Sequence, residues 1–355
     1  NTTQQVAHLP ELLNAQEYMA YQMLAGEVSD AATFDYDGHT DTYWPDLMFE
    51  KGYMRRHTVG FQGGNDQGSL YISIGNTTND GIVAGDKDYN QRLQAQINAE
   101  YKMKPWLTVG INNSFTRTVA SSVSESSSAG TSVFGTILTH DPITPDFYED
   151  NEVPDRLRVL ELNGYDLPKN PDGKYYGASV FGGNNLLWHP AIMRDRTDAS
   201  TDSFNINGTA YLNLTPIKNL VFTSRFGYRT GHSMRHTYNY EIFVNATESQ
   251  SFSISANASN NLYYQWENFA NYTYNLKKHT FTAMAGMSFQ KNTSDSLSGS
   301  ADQLSNYAPN YRYMSNAVNT SKMSVGGTPS ESANMSYYGR LGWSYGNRYN
   351  LQANF

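Results

Sequence analysis

The chain has 355 residues, a net charge of −8, no cysteine, and 27 tyrosines against 25 lysines and arginines. The lack of cysteine excludes a disulfide framework and a thiolate metal site, and the acidic balance does not favour nucleic acid as a partner. No apolar run approaches the ~20 residues of a membrane-spanning helix. Aromatic residues reach 14% while all apolar types reach only 39%. This excess of rings over aliphatic side chains is typical of a β-barrel with one face in lipid and the other in water.

The chain is predicted to begin with a short helix and a loop, over residues 1–53, that lead into a β-barrel portion over residues 54–355. The segment Leu9–Gly26 carries Leu and Met at helical spacing, which predicts the helix. Beyond it, the sequence changes to the alternation that is typical of strands.

Strict alternation of apolar and polar residues predicts ten strands, some longer than soluble strands usually are. Between Arg92 and Tyr101, one face carries Leu93, Ala95, Ile97, Ala99 and Tyr101, and the other carries Arg92, Gln94, Gln96, Asn98 and Glu100. Similar alternation marks the segments 57–61, 70–74, 107–112, 204–214, 222–229, 281–289, 337–345 and 349–355, while 263–276 carries aromatic residues on both faces. A strand of this kind has one face in lipid and the other in water.

The connections between these strands alternate in length. Short links lie at 64–69, 103–105, 215–219, 276–279 and 346–347, and long links lie at about 77–90, 119–201, 231–261 and 292–333. Short periplasmic turns and long extracellular loops are the asymmetry of an outer-membrane barrel. The fold class predicted is therefore all-β, a transmembrane antiparallel β-barrel with long extracellular loops. A soluble β-sandwich is the alternative, although it gives no reason for the sorted loop lengths.

The direction of the last strand predicts that the barrel is larger than this chain. That strand begins at the short 346–347 turn and so runs outward, whereas the final strand of a barrel runs inward. About ten strands with loops this long are too few for a complete barrel. We therefore expect part of a barrel of about 22 strands, with the plug and the closing strands absent from this sequence.

The chain resembles the first half of the barrel of SusC/RagA-type TonB-dependent transporters in four segments: LLNAQEYMAYQ (Leu12–Gln22), DTYWPDLMFEKGYMRRHTVGFQGG (Asp41–Gly64), SLYISIGNTTNDGIV (Ser69–Val83) and YYGRLGWSYGNRYNLQANF (Tyr337–Phe355). The resemblance implies import of large nutrients across the bacterial outer membrane, chiefly oligosaccharides and in some members oligopeptides. It also implies contact with outer-membrane lipid, energy from TonB through a missing N-terminal part, and a SusD-like surface lipoprotein as partner.

Motifs for catalysis or metal binding are weak. His140 and Asp141 could activate water, but we interpret Asp141-Pro142 as a turn with a solvated histidine beside it. Asp80, Asp86 and Asp88 share one loop, yet their spacing does not match an EF-hand. We therefore expect neither an enzyme nor a metal or other cofactor.

The longest loop, 119–201, is the best candidate for substrate contact, because long loops often serve binding or gating. Aromatic rings that stack on sugar faces are a common means of binding carbohydrate. We hypothesise that Tyr175, Tyr176 and Trp188 bind substrate, facing the lumen or the lipoprotein. The alternative interpretation is that these rings only hold the loop together.

Charged residues on the polar faces of the strands are predicted to line the lumen: Arg92, Glu100, Arg225, Arg229 and Arg340. We expect them to contact the plug, with substrate contact as a second role. Two other functions remain open from the sequence. One is a soluble or surface glycan-binding β-protein of the adhesin kind, and the other is an outer-membrane hydrolase that uses His140 and Asp141.

Overall fold

The structure, a computed structural model, describes residues 2–6, 8–26, 36–123, 125, 132–179, 181, 189–243, 249–250, 252–346 and 348–355. Its strands are β1 (Thr2–Gln4), β2 (Gly52–Gly64), β3 (Gly68–Asp80), β4 (Tyr89–Lys104), β5 (Leu107–Ser121), β6 (Phe147–Tyr148), β7 (Tyr175–Tyr176), β8 (Thr197–Ile217), β9 (Leu220–Asn239), β10 (Ile242–Phe243), β11 (Ser249–Gln250), β12 (Ser253–Leu276), β13 (His279–Asp302), β14 (Ser324–Tyr345) and β15 (Tyr349–Asn354). Its helices are α1 (Ala15–Ala25), α2 (Trp44–Met48), α3 (Val133–Thr139), α4 (Asp155–Leu162) and α5 (Pro190–Asp195). Across these described ranges, no helix combines the length and the apolar character that spanning a membrane demands.

One antiparallel sheet of eleven strands dominates the fold, in the order β1-β2-β3-β4-β5-β8-β9-β12-β13-β14-β15. The ten predicted strands are confirmed, and the structure adds β1, which pairs with the start of β2 through Thr2↔Met54 and Gln4↔Gly52. The three residues of β1 are too few to show alternation, which is why the sequence did not predict this strand. Apart from the two small hairpins β6-β7 and β10-β11, sequence neighbours pair with each other, as in an up-and-down barrel wall.

One face of this sheet is apolar and exposed. Trp266 pairs with Phe226 on one side and Phe289 on the other, and Trp266, Phe281 and Leu341 are 48%, 42% and 55% exposed. Since successive residues of a strand point to opposite faces, polar residues such as Gln265 form the other face. An exposed apolar band this wide is expected at a lipid surface rather than in water.

The strands extend further toward the long loops than predicted. The connections are 81–88, 122–196, 240–252 and 303–323, so the predicted boundaries of about 77–90, 119–201, 231–261 and 292–333 were too wide. In the added parts of β12 and β13, for example Ser255↔Ser300 and Ser259↔Ser296, polar residues are frequent on both faces. Backbone pairing continues there, but no apolar alternation marks it in the sequence.

Three connections at the long-loop end, 5–51, 81–88 and 122–196, fold against one another around a shared hydrophobic core. Residues 5–51 connect β1 to β2 at the same end of the sheet as the β5–β8 connection, and α2 packs against α3 and α5. The core comprises Trp44, Met48, Val83, Val133, Ile137, Tyr148, Val153, Leu157, Leu167, Tyr175, Ala178, Ala191, Ile192 and Met193. These loops therefore form an ordered structure at the long-loop end of the sheet.

Helix α1 lies inside the predicted segment Leu9–Gly26 and has clear end signals. Asn14 accepts a hydrogen bond from the Glu17 backbone N–H at 2.9 Å, and the Glu17 side chain accepts one from the Asn14 backbone N–H at 3.1 Å, which makes a capping box. Gly26 ends the helix at φ +74°, a left-handed conformation that favours glycine.

The assignment of the two faces predicts how the sheet responds to a new charge. Ala270 pairs with Ala285 on the apolar face, and Asn271 beside it points to the polar face. We expect Ala270→Arg to lower the free energy of unfolding by about 2–4 kcal/mol because the charge enters lipid. Asn271→Arg is the matched control and should change it by less than about 0.5 kcal/mol. Urea unfolding of the full-length protein in lipid vesicles measures both, and equal losses would contradict the assignment.

Candidate functional site

A row of side chains crosses the polar face of the sheet. The register aligns Glu100, Gly110, Tyr211, Arg225 and Glu267 on five neighbouring strands. Tyr211 Oη donates a hydrogen bond to Glu100 Oε2 at 2.7 Å, and it passes over Gly110, where a Cβ atom would collide with the Tyr211 ring. Arg225 Nε lies 3.2 Å from Glu267 Oε2. Contacts within the sheet therefore hold this row in place.

The other charged residues predicted to line the lumen lie on the same face. Arg229 Nε donates to Asn207 Oδ1 at 2.9 Å, and Arg340 Nε donates to Asn354 Oδ1 at 3.1 Å. Arg92 pairs across the strands with Thr77 and Thr118. The structure thus brings Arg92, Glu100, Arg225, Arg229 and Arg340 onto one face, and their contact with a plug stays a prediction.

An open cavity of about 660 Å³ lies on this face, over the row that contains Glu100. Side chains from five strands line it, mainly amides, phenols and one carboxylate: Gln62, Tyr71, Asn98, Glu100, Asn112 and Tyr211. These groups can donate and accept hydrogen bonds from hydroxyl and amide groups without a strong preference for either. The cavity is therefore suited to polar oligomers or to a packed polypeptide segment.

A second cavity, of about 550 Å³, lies at the long-loop end on the opposite face of the sheet. At its wall, the carboxylate of Asp198 contacts Lys87 Nζ and Tyr240 Oη, and Arg312 Nη1 lies 3.0 Å from it. The Arg312 guanidinium also lies 3.9 Å from the centre of the Tyr238 ring, a cation–π contact. Asp198 thus joins three separate connections to β8, and no motif in the sequence indicated it.

The predicted substrate-binding tyrosines occupy different environments. Tyr175 is only 3% exposed, and its hydroxyl donates to Glu161 Oε1 at 2.8 Å and accepts from Arg158 Nη1 at 3.1 Å. The hydrogen bond from Tyr175, and then that from Arg158, lower the pKa of Glu161. Tyr176 is half-buried beside His189, with ring centres 5.1 Å apart.

These contacts give Tyr175 a place in the loop core, as in the alternative interpretation of these rings. Trp188, the third predicted residue, lies outside the described residues. Contact of these side chains with a substrate stays a prediction.

His140 and Asp141 are buried, at 5% and 1% exposure, so the expectation of a solvated histidine was wrong. Helix α2 covers them: the Trp44 ring lies 4.3 Å from the His140 ring, and Trp44 Nε1 donates to the main-chain oxygen of Asp141 at 2.8 Å. Thr144 Oγ1 donates to Asp141 Oδ1 at 2.8 Å. Trp44 lies 97 residues before Asp141 in the sequence, which is why local sequence patterns did not predict that His140 and Asp141 are buried.

The aspartates of the β3–β4 connection are separately placed. Asp88 accepts a hydrogen bond from the Ile82 backbone N–H at 3.3 Å. Asp86 lines the cavity of about 550 Å³ at the long-loop end. Throughout the residues that the structure describes, no group of three or more His, Asp or Glu side chains is arranged to hold a metal ion.

Comparison with known proteins identifies the fold. Neither a protein-family model nor a curated protein matches the chain. Among solved structures, the RagAB peptide transporter matches 95% of this chain with a TM-score of 0.70 and 18% identity. The RagAB peptide importer in the closed-closed and open-open states matches 99%, with TM-scores of 0.76 and 0.75 and identities of 17% and 16%. The chain spans 35–40% of the length of those chains, so the likeness establishes the fold of a part of such a barrel.

The contacts of Asp198 with Lys87 and Arg312 predict that substitution of Asp198 lowers the local stability of two connections, 81–88 and 303–323. Asp198→Asn removes the charge that holds Lys87 and Arg312, so backbone hydrogen exchange should rise in residues 81–88 and 303–323. Asp202→Asn is the matched control, because Asp202 lies four residues away on the same strand and, among the described residues, forms its one ion pair with the exposed Arg117, at 2.6 Å. We expect the loss of local stability to be larger for Asp198→Asn by about 1 kcal/mol or more. Equal exchange in the two variants would contradict this role.

Proposed function

We propose that this chain is part of the wall of a TonB-dependent transporter in the bacterial outer membrane, which imports large nutrients. The observation that carries the proposal is the exposed apolar face, from Phe61 on β2 to Leu351 on β15, backed by a continuous polar face. Such a wall gives lipid an apolar surface and gives a solute a hydrated one. The likeness in fold to the RagAB peptide importer supports the same function.

The polar face is suited to passage of a solute. Amides, hydroxyls and phenols around Glu100 and Asn98 can replace water around a polar oligomer. We favour oligosaccharides as substrates, as the resemblance implies, with oligopeptides as the alternative. The oligopeptide alternative is supported by the likeness in fold between this chain and the RagAB peptide transporter.

The ordered long-loop end is where we propose that a SusD-like lipoprotein docks. Three of its connections, 5–51, 81–88 and 122–196, share one hydrophobic core, so they can present a fixed surface rather than a set of independent segments. Coupling to TonB would use parts of the protein outside this sequence, and the predicted lumen residues such as Arg225 and Arg340 would face the plug.

The two other functions have less support. A soluble adhesin would expose the apolar band around Trp266 to water, which is unfavourable. A hydrolase built on His140 and Asp141 would need solvent access, and both side chains are buried.

The proposal predicts that cells lacking the full-length protein lose uptake of one class of oligomer. We would compare deletion and complemented strains for uptake of labelled oligosaccharides and labelled oligopeptides. The complementing protein should fractionate with the outer membrane and shift on a gel after boiling, as folded barrels do. A soluble protein without this shift, or equal uptake of both classes in the two strains, would contradict the proposal.

A further inference from the structure

Charge is distributed unequally between the polar face and the rest of the chain. Within the strands of the large sheet, the register places seven cationic side chains on this face: Arg56, Arg92, Lys102, Arg225, Arg229, Arg235 and Arg340. Only three anionic side chains share it: Glu100, Glu267 and Asp302. The face is therefore positive although the chain as a whole carries −8.

The positive charges lack acidic partners toward the long-loop end. Arg225, nearer the short turns, is balanced by Glu267 at 3.2 Å. Among the residues that the structure describes, Arg56 has one side-chain partner, the hydroxyl of Thr77, with Nε 3.3 Å from Oγ1. In the part of the chain that the structure describes, neither Arg92 nor Arg235 lies within ion-pair distance of a carboxylate, and both are exposed.

A pocket of about 240 Å³ lies beside Arg235 at this end of the polar face. Asn79, Asn90 and Thr201 supply further polar groups, so a ligand there would meet a guanidinium among amides and a hydroxyl. Asp88 also lines the pocket, and its carboxylate accepts the Ile82 backbone N–H at 3.3 Å. The pocket thus combines neutral hydrogen-bonding groups, one carboxylate that is bound to a backbone N–H, and a guanidinium that has no ion pair among the described residues.

We infer that the substrates of this transporter are oligomers that carry carboxylate groups, and that Arg56, Arg92 and Arg235 recognise those groups at the entrance of the passage. The inference rests on the proposed function and names its substrate class. Guanidinium groups bind carboxylates through paired hydrogen bonds, and a surface of one sign of charge concentrates ligands of the other. Unbalanced cations at the end where a solute enters favour a soluble ligand over the plug as their partner.

Carboxylates occur both in uronic-acid oligosaccharides and in acidic oligopeptides, so the test uses two pairs of probes. The first pair is oligogalacturonate and its methyl ester, and the second is a glutamate-rich peptide and its glutamine counterpart. Dissociation constants are measured on the full-length transporter with its natural partner in detergent. We expect the acidic member of one pair to bind about tenfold tighter or more than its neutral counterpart. That preference should disappear near 1 M salt, where the screening length is about 3 Å.

The variant Arg56→Gln/Arg92→Gln/Arg235→Gln should abolish this preference and leave binding of the neutral probe unchanged. Arg55→Gln is the matched control, because Arg55 is the neighbour of Arg56 on the same strand and points to the opposite face. A folded barrel is verified for each variant by the gel shift on boiling.

Three results would overturn the inference. One is a wild-type protein that binds the acidic and the neutral member of each probe pair equally well. The proposed function would survive that result if deletion of the protein still abolishes uptake. Another is an equal loss of binding of the acidic and neutral probes by the triple variant, or loss of its gel shift, which would give the arginines a structural role instead. The last is the same loss of preference in the Arg55→Gln control.

Discussion

A strand that borders lipid has no water to bind its backbone N–H and C=O groups, so these groups must pair with neighbouring strands. The pairing of β12 with β13 runs without a break from Ser253↔Asp302 to Leu276↔His279, and it fixes every side chain to one face. A shift of one residue would move the whole polar set into lipid. The positions of Arg92, Arg235 and Glu100 on the polar face are therefore consequences of the register.

The sequence predicted the fold well wherever one face of a strand meets lipid. The segment 92–101 shows the pattern most clearly, and its two faces lie as predicted. Prediction failed toward the long-loop end, for example at 253–261 and 294–302, because polar residues are frequent on both faces there and no apolar alternation marks the strands. The three residues of β1 carried no period at all and depend on their pairing with β2.

The candidate site was predictable only in part. Alternation placed Arg225 and Arg340 on the polar face, because a strand's geometry alone decides this. The surroundings of Tyr175 and His140 depend on partners distant in sequence, such as Trp44, which lies 97 residues before the Asp141 carbonyl that it binds. The contacts of Asp198 likewise join 81–88, 240–252 and 303–323, and no local pattern indicates such a meeting of loops.

The central claim is that one face of the sheet contacts lipid and the other contacts water. The chain has no cysteine, so single cysteines can be placed in turn from Tyr264 to Leu276 on β12 of the full-length protein in its membrane, with any cysteine elsewhere replaced. A water-soluble maleimide should label the odd positions, such as Gln265 and Asn271, and leave even positions such as Trp266 and Ala270 unlabelled. Equal labelling of odd and even positions would contradict the claim.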